Sequence, residues 1–267
     1  MNKRRAAYLG PPGTFSHEAA LKFWQSGFAL VPCSTAREVI RVYREKKVDQ
    51  AILAIDSSIG GPAGKNLDEI AKLEAVRIIG ETLIAVHHQL MARPEGRIEG
   101  TKSVLAHPKA LEECEVWLTQ NLPGAIKIPV SSSAAAAMKA SADSTGETAA
   151  IASRRATGLY GIKVLASDIE TSPLNTTRFW IFGRETPPAT EHDKTTLLVT
   201  EDLNGILSKL INEKVRVLSI YERPSGWKIE LPFYFLDIEG HVQNPPLSHF
   251  LHHFSEGRWL GSYPRKY

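Results

Sequence analysis

Short apolar segments alternate with amphipathic helical segments through the first two-thirds of this 267-residue chain. Residues 6–10 form a short apolar run typical of a strand, whereas residues 35–46 place Val39, Ile40 and Tyr43 at helical spacing. A chain that alternates strands and helices packs its helices against a sheet. The alternation therefore predicts an α/β architecture with mainly parallel strands.

The same patterns predict the other elements of this region. Strands are expected over residues 50–55, from residue 76 onward, and over 103–106, 149–152, 163–166 and 178–182. Helices are expected over residues 16–24, 67–73, 109–121 and 134–140. Hydroxyl side chains stand where helix N-caps are needed, Thr14 or Ser16 before the first helix and Ser131–Ser133 before the alanine-rich one.

Residues 186–193, Thr-Pro-Pro-Ala-Thr-Glu-His-Asp, have the composition of a linker and mark a domain boundary. Beyond them the patterns predict strand 195–200, helix 205–213, strands 215–222 and 227–237, helix 247–254 and a last short strand near 259–262. This order matches a ferredoxin-like α+β module. We therefore expect two domains, residues 1–185 and residues 193–267.

Composition excludes several functional classes. The formal charge is only +3 and the basic residues are scattered, so nucleic-acid binding is not indicated. The apolar run after the basic N-terminus breaks at Gly10-Pro11-Pro12, so neither a signal peptide nor a membrane span is expected. Cys33 and Cys114 are far apart, which fits reduced, buried thiols in a cytoplasmic protein. The nine histidines show no metal-ligand spacing, so we expect neither a metal nor a cofactor.

Three glycine- or serine-rich turns each lead into a helix: Gly10–Ser16, Ser57–Gly64 and Ser131–Ser133. Helix N-termini carry free N–H groups and a positive dipole end. If the three turns converge on one cleft, they would hold a dicarboxylate. The alternative is that these residues only cap helices, Thr14 and Ser16 in particular.

Five motifs, spread in order over almost the whole chain, resemble those of bacterial-type prephenate dehydratases with a C-terminal ACT regulatory domain. They are Tyr8-Leu9-Gly10-Pro11-Pro12-Gly13-Thr14-Phe15-Ser16, His107-Pro108-Lys109-Ala110-Leu111-Glu112-Glu113-Cys114, Asn175-Thr176-Thr177-Arg178-Phe179, and the pair Asp237–His241 and Leu260–Pro264. The resemblance implies two α/β lobes like those of type II periplasmic binding proteins, followed by an ACT domain. It also implies that prephenate is converted to phenylpyruvate in L-phenylalanine biosynthesis, by a homodimer or homotetramer.

The resemblance implies a set of site residues. Thr177 is expected to hydrogen-bond or protonate the departing ring hydroxyl, and Arg178 is the second catalytic candidate. Because neighbouring residues of a strand point to opposite faces, Arg178 has the alternative role of bracing the strand against an acidic residue. Phe179 has the alternative of core packing. The residues expected to bind substrate are Thr14, Ser16, Asp56, Ser57, Ser58, Lys109, Ser132, Asn175 and Phe179.

The chain departs from the family pattern at several positions. Asp56-Ser57-Ser58 stands where the family has Glu-Asn-Ser, and Lys109 stands where it has glutamine. In the ACT region the segment Asn204-Gly205-Ile206-Leu207 replaces Pro-Gly-Ala-Leu, and Tyr221-Glu222-Arg223-Pro224 replaces Glu-Ser-Arg-Pro. These two segments are where the family holds phenylalanine, so we expect weak or absent phenylalanine binding by Asn204–Leu207 and Glu222–Pro224.

Three alternatives to prephenate dehydration stay open at this point. One is an arogenate dehydratase, and another is a relative that decarboxylates prephenate without expelling the hydroxyl, against which the presence of Thr177 argues. The third, from a different class, is a catalytically silent small-ligand sensor, which the changes at Ser57 and Lys109 keep open.

Overall fold

Two lobes are built from the first two-thirds of the chain, and most of their strands and helices are those predicted from the sequence. A computed structural model describes residues 3–225 and 232–266. The first lobe contains β1 (Arg4–Leu9), α1 (Phe15–Trp24), β2 (Phe28–Cys33), α2 (Ala36–Arg44), β3 (Gln50–Ser57), β4 (Gly61–Pro62), α3 (Gly64–Ala71) and β5 (Arg77–Ala85).

The second lobe begins where the chain leaves β5. It contains β6 (Gln89–Ala92), a 3-10 turn (Ile98–Gly100), β7 (Ser103–Ala106), α4 (Pro108–Glu113), α5 (Glu115–Asn121), β8 (Ile126–Pro129), α6 (Ser133–Ala142), β9 (Thr148–Ala152), α7 (Ala156–Tyr160) and β10 (Lys163–Ala166). Its sheet has the order β10-β6-β9-β7-β8. The expected single helix over 109–121 is divided at Cys114, whose φ and ψ of −104° and 7° interrupt regular helix geometry.

The chain then returns to the first lobe as β11 (Thr176–Gly183), which inserts between β3 and β5 to give the order β2-β1-β3-β11-β5. The lobes are therefore joined by two crossing segments, residues 86–88 and residues 167–175. Because β11 enters the first sheet from the opposite direction, it runs antiparallel to both neighbours. The expectation of mainly parallel strands was wrong, and both sheets are mixed.

Helix starts follow the hydroxyl residues of the sequence. Thr14, Thr35 and Ser132 are the N-caps of α1, α2 and α6, and each side-chain oxygen accepts a bond from a backbone N–H of the first turn. The apolar faces of these helices pack on the sheets, where Trp180 and Leu118 are fully buried in the first and second lobes. Both cysteines are buried free thiols, as expected.

The last part of the chain forms a third sheet covered by two helices, which we call the C-terminal module. Its elements are β12 (Asp193–Val199), α8 (Leu203–Asn212), β13 (Val217–Arg223), β14 (Phe233–Glu239), α9 (Leu247–His252) and β15 (Gly257–Pro264). The four strands are antiparallel in the order β13-β14-β12-β15, which is the ferredoxin-like arrangement predicted from the sequence. The part of the predicted strand 227–237 that falls on residues 227–231 lies outside the described residues. No helix in the described ranges combines the length and the hydropathy of a membrane span.

Candidate active site

A cleft of about 1170 Å³ lies between the two lobes. It is lined by both lobes and by residues close to the second crossing segment. The residues that concern its chemistry are Thr14, Ser16, Ser57, His88, His107, Lys109, Glu113, Ser131–Ser133, Asn175 and Thr177. The structure thus brings together most of the hydroxyl and amide side chains that the sequence singled out.

Thr177 enters the cleft from the start of β11, directly opposite Ser57 at the end of β3. The Ser57 hydroxyl donates to Asn175 Oδ1 at 3.1 Å, and the Asn175 side chain is almost fully buried. Among the described residues, none hydrogen-bonds to the hydroxyl of Thr177. This hydroxyl is therefore available to a bound ligand, while Ser57 and Asn175 hold one another in place.

All three predicted turns lead into helices whose first residues line the cleft, namely α1, α3 and α6. The Thr14 hydroxyl donates to the Leu9 and Pro11 carbonyls and accepts from the His17 N–H, so its role is that of a cap. Ser132 accepts from the Ala135 N–H at 3.0 Å. Ser16 lies in the first turn of α1 and lines the cleft. Backbone N–H groups and the positive dipole ends of α1 and α6 make this part of the cleft suitable for an anion.

The second lobe contributes a polar cluster that the sequence arguments missed. Glu113 Oε2 lies 2.7 Å from His88 Nε2, and Glu113 Oε1 lies 3.8 Å from Lys109 Nζ. Burial raises the pKa of the Glu113 carboxyl, but its contacts with His88, Lys109 and Asn175 together outweigh burial and lower the pKa. The lysine at 109 thus stands in the cleft beside an ionised carboxylate. The spacing of four residues on a helix was the sequence signal for this pair, whereas His88 carried no such signal.

Two predicted site residues on β11 do not reach the cleft. Arg178 is buried on the opposite face of the strand, where its guanidinium contacts Glu81 at 2.7 Å and Asp237 at 2.5 Å. The bracing alternative is therefore the one that the geometry supports, and a catalytic contact of Arg178 is excluded. The register between β11 and β3 shifts after Arg178 because β3 carries an extra residue, and Phe179 packs in the core of the first lobe. Phe179 does not wall the substrate.

Two predicted substrate-binding residues at the end of β3 also point elsewhere. Asp56 Oδ2 accepts from the Tyr221 hydroxyl of the C-terminal module at 3.0 Å, and Asp56 does not line the cleft. The Ser58 hydroxyl donates to the Leu174 carbonyl and accepts from the Thr176 N–H. Ser58 therefore ties the end of β3 to the start of β11 outside the cleft. Strand alternation explains both, since only Ser57 of the three takes the cleft face.

The residues predicted to hold an amino-acid effector lie on α8 and at the end of β13. Ile206 is fully buried in the module core, and the Gly205 N–H donates to the Asp202 carboxylate that caps α8. Asn204 and Glu222 are exposed. Arg223 forms a two-point ion pair with Asp68 of the first lobe. Ile206 and Arg223 are thus occupied within the chain, which contradicts direct effector contacts from their side chains.

A cluster of possible metal ligands, His87, Asp168 and Glu170, lies on the two crossing segments. Its carboxylates already accept hydrogen bonds: Glu170 from the His88 N–H and Asp168 from the Gln89 amide, at 2.8 and 2.9 Å. Glu170 also lies 2.8 Å from His87 Nδ1. These contacts account for the cluster as a link between the crossing segments.

The chain is similar in sequence and in overall fold to proteins of a known family. The family model for prephenate dehydratase matches residues 6–187. The bifunctional chorismate mutase/prephenate dehydratase of Neisseria gonorrhoeae is 33% identical over 97% of this chain and 74% of its own length. A prephenate dehydratase from Arthrobacter aurescens in complex with L-Phe superposes with a TM-score of 0.89 at 31% identity, covering 98% of this chain and 90% of that one. GqqA, described as a novel type of quorum-quenching acylase, superposes with a TM-score of 0.84 at 27% identity over 98% of each chain.

Proposed function

The chain belongs to the prephenate dehydratase family, and we propose that it is a carbon–oxygen lyase that converts prephenate to phenylpyruvate. The observation that carries the proposal is the placement of Thr177. Its hydroxyl lines the cleft and has no hydrogen-bond partner among the described residues. It lies next to Ser57 and Asn175, whose side chains are hydrogen-bonded to each other.

The proposed reaction breaks two bonds on the prephenate ring. The bond to the ring carboxylate breaks, its electron pair forms the third ring double bond, and carbon dioxide leaves. The bond to the ring hydroxyl breaks with it, and this oxygen leaves as water after receiving a proton from the solvent. Because the ring becomes aromatic, the protein mainly has to hold the geometry and stabilise the departing hydroxyl.

We assign that stabilisation to Thr177. A threonine hydroxyl is a weak acid, so it acts as a fixed hydrogen-bond donor to the leaving oxygen, where negative charge develops. The pyruvyl and ring carboxylates are assigned to the N-termini of α1 and α6 and to the ammonium group of Lys109. Ser57 and Asn175 keep the start of β11 in register, because their mutual hydrogen bond links β3 to the crossing segment.

The product mixture tests this assignment against its alternatives. Purified protein is incubated with prephenate at alkaline pH beside a protein-free blank, and the products are separated by chromatography. Phenylpyruvate is the expected product. A non-aromatic keto acid would show decarboxylation without dehydration, and no product would favour a ligand sensor. A parallel incubation with arogenate, in which phenylalanine would form, decides between the two dehydratase substrates.

The likeness to GqqA raises acyl transfer as a second activity, which would need an activated nucleophile. In the described part of the chain, no cleft-lining serine hydrogen-bonds to a histidine ring. Burial raises the pKa of the Cys33 thiol at the cleft wall to about 11, so this thiol is neutral. The cleft chemistry therefore favours the dehydratase.

We propose further that residues 1–185 are the catalytic domain and that residues 193–267 are an ACT domain through which the chain forms a homodimer or homotetramer. The family match that ends at residue 187 and the ferredoxin-like sheet order support this division. The exposed carboxylate of Glu222 would oppose an amino-acid carboxylate, so the module senses phenylalanine weakly or not at all. Titration with phenylalanine, with activity and oligomer size measured together, tests both parts. Strong inhibition at low micromolar phenylalanine contradicts the first, and a monomer contradicts the second.

A further inference from the structure

The strand pair β3 and β11 carries cleft side chains on one face and contacts to the C-terminal module on the other. Ser57 faces Thr177 across the pair, and the adjacent partners Asp56 and Arg178 face one another in the same way. The first two residues line the cleft. The side chains of the second two bind the C-terminal module. What holds Asp56 and Arg178 therefore also sets the position of Ser57 and Thr177, one residue away along the same backbones.

The hydroxyl of Tyr221, on β13 of the C-terminal module, joins these two strands. It donates to Asp56 Oδ2 at 3.0 Å and accepts from Arg178 Nη1 at 3.2 Å. Burial raises the pKa of Tyr221 to about 12, so the hydroxyl keeps its proton and can serve both partners. A single atom of the C-terminal module thus bridges the ends of β3 and β11 directly behind the cleft.

The surroundings of Arg178 make this bridge rigid. Its guanidinium also donates to Tyr263 at 3.1 Å and to Asp237, and both of these side chains are fully buried. The Asp237 carboxylate in turn accepts from the hydroxyls of Thr196 and Ser219. Buried charged groups with this many partners have one well-defined arrangement.

The module makes a second contact with the cleft two residues further along β13. The Arg223 guanidinium donates two hydrogen bonds, of 2.8 and 3.0 Å, to the Asp68 carboxylate. Asp68 belongs to α3 and lines the cleft. The end of β13 is therefore attached to two cleft-forming elements of the same chain, the β3–β11 pair and α3.

We propose that Tyr221 is a positioning residue for the cleft: its hydroxyl fixes Asp56 and Arg178, and through them holds the Ser57 and Thr177 hydroxyls at their working separation. The kinetic part of this proposal rests on the proposed dehydratase function. The C-terminal module then supports the reaction directly, in addition to any role in assembly.

The variant Tyr221→Phe removes only the bridging hydroxyl. We expect kcat for phenylpyruvate formation to fall about tenfold with KM within about twofold, because misplacement of a reacting group impairs the chemical step more than substrate binding. Hydrogen exchange should also accelerate at the amides of Ser58 and Thr176, whose bonds close the ends of β3 and β11. Tyr43→Phe is the matched control, since the buried Tyr43 hydroxyl donates to the Gly183 carbonyl at the far end of β11. It should leave both kcat and these two amides unchanged.

Three kinetic outcomes would overturn the proposal: wild-type kcat in Tyr221→Phe, an equal loss of kcat in both variants, or a rise in KM with unchanged kcat. If the wild-type protein forms no phenylpyruvate, the dehydratase function fails, and hydrogen exchange alone then decides the positioning role. Faster exchange at Ser58 and Thr176 in Tyr221→Phe, without a change in Tyr43→Phe, supports it. Unchanged exchange rejects it.

Discussion

Neighbouring residues of β3 and β11 serve two different environments. Thr177 and Ser57 face an open cleft, and the Thr177 hydroxyl has no partner among the described residues. Arg178 and Asp56 face the C-terminal module, where Arg178 is almost fully buried and contacts two carboxylates. Strand β11 therefore carries a hydroxyl that can still form a hydrogen bond on one face and a fully paired charged side chain on the other.

The contrast separates residues that act on a ligand from residues that keep the strand in place. A charge buried at an interface has to be fully paired, because removing it from water is costly. A group that binds a ligand needs unused hydrogen-bonding capacity instead. The charge on Arg178 does not make it the catalytic residue, and the neutral Thr177 beside it meets that need.

The largest expected effect comes from removing the buried charge of Arg178. Arg178→Met removes the direct cation contact of Asp237 and leaves Glu81 paired with Lys194 alone, and loss of one partner from a buried ion pair costs about 3–5 kcal/mol. Chemical denaturation should show this loss in the free energy of unfolding. Arg97→Met is the control, because this exposed arginine makes no side-chain hydrogen bond or ion pair with the described residues and should change stability by no more than about 0.5 kcal/mol. Equal stability of Arg178→Met and the wild type would show that the charge cluster contributes nothing.

A substitution on the cleft face of β11 should lower activity and leave the free energy of unfolding unchanged. Thr177→Ala removes a hydroxyl with no partner among the described residues, so the fold should keep its stability. Turnover should fall about 10²-fold or more, the usual effect of losing one preorganised donor. Thr177→Ser keeps the hydroxyl and should retain much more activity. Normal turnover in Thr177→Ala, with phenylpyruvate measured directly, would remove this residue from the mechanism.

Much of the fold was readable because local signals were strong. Thr14, Thr35 and Ser132 mark helix starts, and the strand at β11 follows from its continuous apolar run. Two edge strands, β2 and β8, were missed because they are largely solvent-accessible and contain proline, which weakens the apolar pattern of a strand. The prediction of mainly parallel strands was also wrong. The direction of β11 depends on the return of the chain from the second lobe, which no local sequence pattern encodes.

The site could be predicted from the sequence only in part, because many of its contacts join residues that are far apart in the chain. Alternation along β11 correctly separated Thr177 from Arg178 and puts Phe179 on the Thr177 face, but Phe179 lies further along the strand, where that face packs in the core of the first lobe. The partners of Arg178 come from residues 59 and 97 positions away in sequence. The His88–Glu113 contact joins a crossing segment to a helix of the second lobe. Tertiary contacts of this kind produce no periodic pattern in the amino-acid sequence.

The cleft carboxylate gives a smaller effect that depends on pH. The pKa of Glu113 is lowered, so its stabilisation is present above the unfolded value of about 4.3 and is lost as the pH falls through the folded value. Glu113→Gln should cost about 1 kcal/mol at neutral pH, since it weakens a partly buried contact to His88. The difference in melting temperature from the wild type should shrink below about pH 4. Glu112→Gln, at an exposed neighbouring position, should show no such trend, and a difference that persists in acid would contradict the assignment.

The smallest expected effect tests whether the cleft charge acts on the substrate. The Lys109 ammonium is partly exposed and 3.8 Å from Glu113, so its attraction to a carboxylate is screened by water. Lys109→Gln should therefore raise KM by about three- to fivefold and leave kcat nearly unchanged, because the same attraction is lost from the bound substrate and from the transition state. Steady-state kinetics at low salt should show the difference, and added salt should reduce it, because ions screen exposed charges. Lys139→Gln, on the exposed side of α6, controls for the change in net charge. If Lys109→Gln keeps the wild-type KM at low salt, Lys109 is a solvated lysine paired with Glu113, and the anion site rests on the helix N-termini alone.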